Sequence, residues 1–510
     1  MISKTTQEQI NLTLWKAADT FRGKIDSSLY KDYILVMLFI KYLSDVYKEQ
    51  YEEYSQKYNG DELRIKRALG RERFILDEKS TFEYLYEKRN SSEIGDIINK
   101  ALEHIEESNK SKLRGVFRNI DFNSQLILGG TNERNAILRT LLNDFNGLDL
   151  RPNNLNGNDV IGDSYEYMIA QFASDAGKKG GEFFTPSMVS ELLSRLVKPR
   201  DNDRIYDPTC GSGSLLIRAF KKIPSGKAQI YGQERNGQTQ ALCKMNMFLH
   251  GIDDAKIENG DTLANPLHLE DGKLMQFQVV VANPPFSLDK WAMGFGGTET
   301  EEKKFKMDPS LDIYRRFDWG VAPSSKGDFA FIQHMLYSLA EKGRMGVVLP
   351  HGVLFRGASE GKIRKEILER NCLDAVIGLP ENLFFGTGIP AVVLIFKKSR
   401  KRKDVLFIDA SGEGHYEKGK NQNKLREIDL NDIETVYNNY ETIDKYSYVA
   451  SLKEIKENDY NLNIPRYVDT FEEEEMVDME TVAKNIVNIK KELEDVEKEM
   501  ARYLEELGLC

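Results

Sequence analysis

Asn283-Pro284-Pro285-Phe286 is the stretch of this 510-residue chain whose side chains are best suited to chemistry. Three β-branched residues, Val279 to Val281, and then Ala282 precede it. Such a run reads as a fully buried strand that delivers four unusual residues to its carboxyl end. In open α/β sheets that end carries the ligand sites. Two successive prolines remove two amide donors and fix φ, so the turn is stiff and the carbonyls of Asn283 and Pro284 are left to accept from a ligand. A planar exocyclic amine fits such acceptors, and the Phe286 ring offers a face on which a base taken out of a duplex can stack. A Pro-rich turn closing a buried strand accounts for the same four residues. Alone, the tetrapeptide leaves both readings open.

Upstream, Ile205-Tyr206-Asp207-Pro208-Thr209-Cys210-Gly211-Ser212-Gly213-Ser214 reads as a short strand ending in an acid and a Gly-x-Gly turn, followed by a helix over 215–222. Glycines at such a turn let the backbone approach a ligand closely. The next strand, Gln229 to Glu234, ends in a carboxylate about 20 residues on, where nucleotide-binding units keep the acid that takes ribose hydroxyls. A third, Ile257 to Gly260, ends in Asp261, which is able to accept from an adenine amino group. Leu216 stands where a dinucleotide fingerprint needs its third glycine, which weighs against NAD. Cys210, beside the turn, reads as a small space-filler rather than a nucleophile.

These motifs together resemble the S-adenosylmethionine-dependent amino-methyltransferases of DNA. Asp207-Pro208-x-x-Gly211-x-Gly213 and Asn283-Pro284-Pro285-Phe286 stand in that family's order, and Gly180-Gly181-Glu182-Phe183-Phe184-Thr185-Pro186 matches its additional cofactor motif. Within the family the chain is most similar to the modification subunit of type I restriction-modification systems. That similarity includes Leu14 to Asp19 with Phe21-Arg22-Gly23, Gly343 to Pro350, Gly378-Leu379-Pro380, Gly386 to Pro390 and Tyr460 to Tyr467. The resemblance implies an α/β Rossmann-like methyltransferase domain with an all-α N-terminal domain and a C-terminal coiled-coil tail. It implies S-adenosylmethionine as cofactor, held by Glu182, Phe183, Phe184, Thr185, Pro186, Asp207, Thr209, Gly211, Gly213, Ser214, Glu234 and Asp261. Asn283, Pro284, Pro285 and Phe286 would serve the target base, with Asn at the first position favouring adenine N6 over cytosine N4. The implied partners are duplex DNA, a specificity subunit shared with a second copy of this chain, and a restriction subunit. No metal is called for.

The elements that must hold these residues follow from the rest of the chain. Residues 1–150 read as helical, with Leu14, Ala17, Ala18 and Phe21 at helical spacing and an apolar run from Ile34 to Leu43. Trp15 there reads as core rather than as a base-stacking residue. The turn-rich Arg151-Pro152-Asn153-Asn154-Leu155-Asn156-Gly157-Asn158 suggests a boundary. A catalytic domain is expected over 155–410, a connecting region over 411–470 and a coiled-coil helix over 471–510. Between the fourth strand and a helix starting at Asp328, about 40 residues from Ser287 to Gly327 are placed to cover an extruded base. In the tail, Met479, Val482, Ile486, Ile489, Leu493, Val496, Met500, Tyr503 and Leu507 alternate by three and four, a heptad seam that needs a partner helix.

Composition narrows the partners. The net charge of −10 is unexpected for autonomous binding to DNA, where Lys and Arg supply most non-specific affinity. Either basic residues cluster, or another chain makes most of the contact. Lys397-Lys398-Ser399-Arg400-Lys401-Arg402-Lys403 is the one dense cluster, expected on a tight loop as a phosphate contact. Four cysteines without metal spacing, and no leader or membrane-length apolar run, predict a cytoplasmic protein. A cytosine C5 methyltransferase would need a Pro-Cys nucleophile, and no such dipeptide occurs. An amino-methyltransferase acting on protein glutamine or RNA is the alternative reading, and a scaffold that keeps the fold without turnover is a third.

Overall fold

The computed structural model describes residues 4–22, 25, 27–157, 159–175, 184–295, 308–385, 387–420, 422–470 and 479–507. Residues 1–468 form one compact unit and 469–510 a second.

Nine strands make the sheet of the first unit: β1 (Arg204–Asp207), β2 (Gln229–Glu234), β3 (Lys256–Asn259), β6 (Phe277–Ala282), β7 (Leu339–Pro350), β8 (Leu373–Gly378), β9 (Ala391–Lys397), β10 (Val405–Asp409) and β11 (Ser447–Ala450). A two-stranded hairpin, β4 (Leu269–Glu270) with β5 (Lys273–Leu274), stands apart. The order is β11-β10-β8-β9-β7-β6-β1-β2-β3. From β1 the chain steps outward through β2 and β3, then crosses back to β6 on the other side of β1, with Ile205 level with Val279 and Tyr206 with Val280. The direction of winding reverses between β1 and β6, which opens a crevice at their carboxyl ends. β9 runs antiparallel between β7 and β8, and β11 antiparallel on β10. The rest of the sheet is parallel.

The continuous apolar run of β6 is explained by helices on both faces. Val279 and Val281 face a core with the helices Ser187–Val197 and Ser214–Lys221, whereas Val280 and Ala282 face the helices Asp328–Tyr337 and Ala358–Glu369. The stretch expected as a connecting region is folded onto the sheet, through the helix Glu427–Asn439 and edge strand β11.

The N-terminal helices, among them Gln7–Phe21 and Ser27–Lys57, share one core with Val160–Asp175 and with one side of Gly237–Leu249. Phe248 meets Phe39 and Phe74, and Arg73 forms an ion pair with Asp253. The helical region thus braces the back of the helix that follows β2. Trp15 donates to Tyr167 Oη at 3.2 Å. In the second unit the helix Met479–Glu506 exposes Ile486, Ile489, Leu493, Val496, Met500 and Tyr503, with Leu507 just beyond it. Among the described residues no helix is long and apolar enough to cross a membrane.

Candidate active site

The crevice between β1 and β6 gathers residues from three distant motifs. Phe184, Thr185, Asp207, Thr209, Gly211, Ser214 and Asn283 line one small cleft, with Cys210 and Leu215. A cavity of about 260 Å³ continues from it past Phe184, Thr185 and Ser214 towards Glu166 and Arg218. Pro186 caps the helix Ser187–Val197. Glu182 and Phe183 lie outside the described residues.

The glycine turn is shaped by close packing. Gly211 has φ +53° and Gly213 φ +86°, the left-handed region that disfavours a side chain. A Cβ at Gly213 would stand 2.8 Å from Cys243 Sγ and 2.5 Å from Met247 Cε. Glu234, at the end of β2, accepts from the amides of Gly211 at 3.1 Å and Asn236 at 2.8 Å, tying two strand ends together. Burial raises its carboxyl pKa, against the pull of those amides. Asp261 caps its own turn through the amides of Leu263 and Ala264, with Arg235 3.6 Å away. That turn touches the cleft through Thr262, whose hydroxyl donates to Pro208 O at 2.6 Å.

Three buried polar atoms on the cleft have no hydrogen-bond partner among the described residues: Asp207 Oδ2, Thr209 Oγ1 and Asn283 Oδ1. A buried group left in this way costs about 1–3 kcal/mol, so a cluster of them asks for a ligand. Asp207 is 1% exposed and accepts from the Thr209 amide on its other oxygen, at 2.9 Å. Burial, with the Glu234 carboxylate adding, pushes its pKa up to about 8. A cationic group is what would restore its charge. The Asn283 amide is oriented by its Nδ2, which donates to Thr185 Oγ1 at 3.1 Å across 98 residues of sequence. Its oxygen is thereby left as the acceptor. Cys210 lies 3.8 Å from Cys243 Sγ, and the neighbouring thiol and burial hold its pKa well above the usual range. A neutral buried thiol suits a space-filler and not a nucleophile.

Beyond Asn283 the prolines lead to Phe286, which meets Phe384 edge-on with ring centroids 5.8 Å apart. Ser287 follows at φ +52° and donates its amide to Asp328 Oδ1 at 2.8 Å. Asp328 is fully buried at the start of its helix, and Arg356 donates to its Oδ2 from both terminal nitrogens at 3.1 Å. Glu360 accepts from Arg356 in turn. The sequence reading missed Asp328, Arg356 and Glu360, because no spacing relates them to the tetrapeptide. Two further aromatics join the site, the Phe384 ring meeting Phe286 and the Phe385 ring meeting Phe184.

Two other clusters are accounted for within the fold. Asp159, Asp163 and His250 bring ligating atoms close, but the Lys221 ammonium bridges both carboxylates, 3.2 Å from Asp163. The loop Lys397–Lys403 is revised by the structure. Lys397 and Arg400 pair with Asp374 at 2.7 and 2.9 Å, Lys398 donates to Leu339 O at 2.5 Å, and Arg402 stacks on Tyr440. Because β9 is antiparallel, Lys397 is level with Arg344 and so with Val279, at the amino-terminal side of β6. Asn283 is at the other end, and the expected phosphate contact loses its support.

Comparison with known proteins gives the family. The N-6 DNA Methylase family model matches residues 156–476, and the HsdM N-terminal domain matches residues 10–145. The chain belongs to the N-6 DNA methylase family. Among its relatives, the type I restriction enzyme MpnII methylase subunit of Mycoplasma pneumoniae is 32% identical over 99% of this chain and 98% of its own length. The MjaVIII methylase subunit of Methanocaldococcus jannaschii is 33% identical over 99% and 86%. A crystal structure of a type I restriction-modification methyltransferase subunit from Streptococcus thermophilus superposes with a TM-score of 0.78 at 36% identity, covering 91% of this chain and all of that one. The chain is therefore a type I methylase subunit by family, and the helical N-terminus is a family part rather than an addition.

Proposed function

We propose that this N-6 DNA methylase transfers the methyl group of S-adenosylmethionine to the N6 amine of an adenine turned out of a DNA duplex. The observation that carries the reading is the Asn283 amide, oriented by Thr185 so that its buried oxygen has no partner among the described residues. An adenine amine conjugated into its ring is a poor nucleophile. Hydrogen bonds to Asn283 Oδ1 and the Pro284 carbonyl favour a pyramidal nitrogen with an available lone pair, and Pro285 keeps that turn stiff. Phe286 stacks on the base, steadied by Phe384.

The unpartnered polar atoms of the cleft fit the cofactor. When bound, S-adenosylmethionine supplies an electrophilic methyl on a sulfonium centre. Asp207 would receive its ammonium group, Gly211 and Gly213 would allow close approach, and Thr209, Ser214, Thr185, Pro186 and Phe184 would enclose it, while Glu182 and Phe183, outside the described residues, are assigned to it by the sequence motif alone. Glu234 offers its remaining lone pairs to the ribose, and Asp261 its outer oxygen to the cofactor adenine. Asn283 and Pro284 would hold the amine with its lone pair directed at the methyl group that the cofactor would supply, and the acidic amine proton of the methylated product would pass to water, so no strong base would be required.

Sequence recognition comes from a partner. The exposed seam of the helix Met479–Glu506 and the overall acidity support docking to a specificity subunit, with a second copy of this chain and a restriction subunit completing a type I assembly. Truncation after Asp469 is expected to leave a folded, cofactor-binding protein that no longer assembles with the purified specificity chain by mass photometry. The test of the reaction is methyl transfer from labelled cofactor to duplex DNA by the assembled enzyme, with the product base identified. Label on cytosine, protein or RNA would sink the reading.

A further inference from the structure

Segment 308–318, part of the long connection that leaves β6, contains a turn built on a buried ion pair. Asp312 is 4% exposed and Arg316 1%. The Arg316 guanidinium contacts the Asp312 carboxylate at 2.9 Å, and donates to the carbonyls of Thr262 at 3.2 Å and Leu263 at 2.6 Å. It also contacts His334 Nδ1 at 3.1 Å and lies against the rings of Phe295 and Phe317. Between the two buried charges the chain is thrown outward. Ile313 is 80% exposed, Leu311 50%, and the Arg315 side chain 78%, with Arg315 at φ +58° and its amide closing the turn on Asp312 O at 2.9 Å.

A buried ion pair is a poor stabiliser, because desolvation offsets its attraction, but it fixes geometry. Here it fixes a tight turn that displays aliphatic side chains and a guanidinium to water. Among the described residues Arg315 pairs with the exposed Asp318 at 2.8 Å, and surface pairs of that kind contribute little and are readily exchanged. The base of the turn rests on Thr262, which itself bonds Pro208 of the cofactor turn. The protrusion therefore rises from the same carboxyl-terminal edge of the sheet as Asn283. An aliphatic tip with an adjacent cation matches what proteins insert between base pairs.

We propose that the turn Leu311–Arg315 enters the duplex, with Ile313 filling the gap that the extruded adenine leaves in the stack and Arg315 meeting a flanking phosphate. The proposal rests on the reaction proposed above. Extruding a paired base means losing pairing and stacking, and a wedge that occupies the gap favours the open state. A duplex in which the base opposite the target is removed has no pair to break, and there the wedge is dispensable.

The test uses the assembled enzyme and two duplexes, one with the target adenine paired and one with it opposite an abasic site, read by methyl transfer and by 2-aminopurine fluorescence at the target. Ile313→Ser is expected to lose roughly tenfold or more on the paired duplex, and no more than about twofold on the abasic one. Ile313→Leu should keep most of the activity. Arg315→Gln should lower the slope of log affinity against log salt by about 0.9, one phosphate contact. Equal losses of Ile313→Ser on both duplexes, wild-type behaviour on both, or a defect confined to assembly with the partner chain would each overturn the wedge. Failure of the unmodified enzyme to methylate adenine would instead strike the reaction itself.

Discussion

The two ends of β6 make opposite uses of polar side chains. At the carboxyl end, Asp207, Thr209 and Asn283 each keep a buried oxygen without a partner among the described residues. At the amino-terminal side, the loop after β9 carries six cations in seven residues, and Lys397, Lys398 and Arg400 are already bonded to Asp374 or to backbone carbonyls. Seen as sequence, the second region looks made to bind a polyanion, and the first is a tetrapeptide suited to chemistry that a Pro-rich turn also accounts for. Seen as structure, the first keeps unpartnered oxygens among the described residues, whereas the buried cations of the second are ion-paired or bonded to carbonyls, although Arg400 Nε, 2.9 Å from Asp374, makes no hydrogen bond. A site for a ligand is marked by polar groups that the fold orients and leaves unsatisfied, not by the density of charge.

The strongest way to break the comparison is at Asn283. Asn283→Ala removes the oriented acceptor while leaving the glycine turn intact, so methyl transfer should fall by about 10²–10³-fold or more with cofactor binding nearly unchanged. Calorimetry and a tritium-transfer assay read the two separately. Near-normal turnover would mean that the unpartnered oxygen has no part in the reaction.

Asp328→Asn comes next. The Ser287 amide keeps an acceptor, but the double donation from Arg356 loses its charged partner, and Glu360, whose pKa is already raised by burial, is left to balance Arg356 alone. The expected result is a loss of roughly 10–100-fold in kcat, the scale of a small misplacement of the reacting groups, with the KM for cofactor nearly unchanged. A rise in that KM with constant kcat would show the network serving the cofactor side instead. Phe286→Ala is expected to weaken capture of the extruded base by about 1–3 kcal/mol, while Phe286→Tyr retains it. Identical behaviour of the two variants would reduce Phe286 to packing against Phe384.

Asp207 gives the comparison a pH signature. With its pKa at about 8, its proton favours the folded protein, and that contribution is lost as pH rises through about 8. Pairing with a cationic ligand requires the carboxylate, so binding below pH 8 must release a proton. Cofactor affinity is expected to rise by up to about tenfold per unit between pH 6 and 7.5, with a proton released on binding. Asp207→Asn should bind more weakly and without this dependence. Affinity independent of pH in the unmodified protein would remove Asp207 from the ammonium site.

Much of this site was legible because its signals are local. A buried strand, a proline pair, glycines in a turn and acids at strand ends each report on neighbouring residues. What escaped depends on distant partners. Nothing near Thr185 announces that it orients Asn283, and Asp374 lies outside the basic cluster it neutralises. The insertion of β9 between β7 and β8 and the addition of β11 past residue 411 are decided by pairing, which a run of apolar residues does not encode. The helical N-terminus was readable as helix, yet its packing against Gly237–Leu249 was not, since that helix is buried all round and shows no stripe.

The smallest effect is expected where the sequence alone promised a large one. Lys401, Arg402 and Lys403 are the exposed cations of the loop, and Arg402 already lies over Tyr440 with 4.0 Å between guanidinium carbon and ring centroid. They follow a strand whose end is level with Arg344 and Val279, and four residues, about 13 Å of strand, separate that level from Asn283. A duplex held at Asn283 is therefore not met by this loop within the same subunit. Replacing all three by Ser is expected to change the salt slope of DNA binding by less than one phosphate contact, about 0.9, and to leave methyl transfer unaltered. A fall of two or more contacts would return the loop to the DNA interface. It would also show that unsatisfied polar groups and surface charge mark separate binding regions on this sheet, one for the base and one for the backbone.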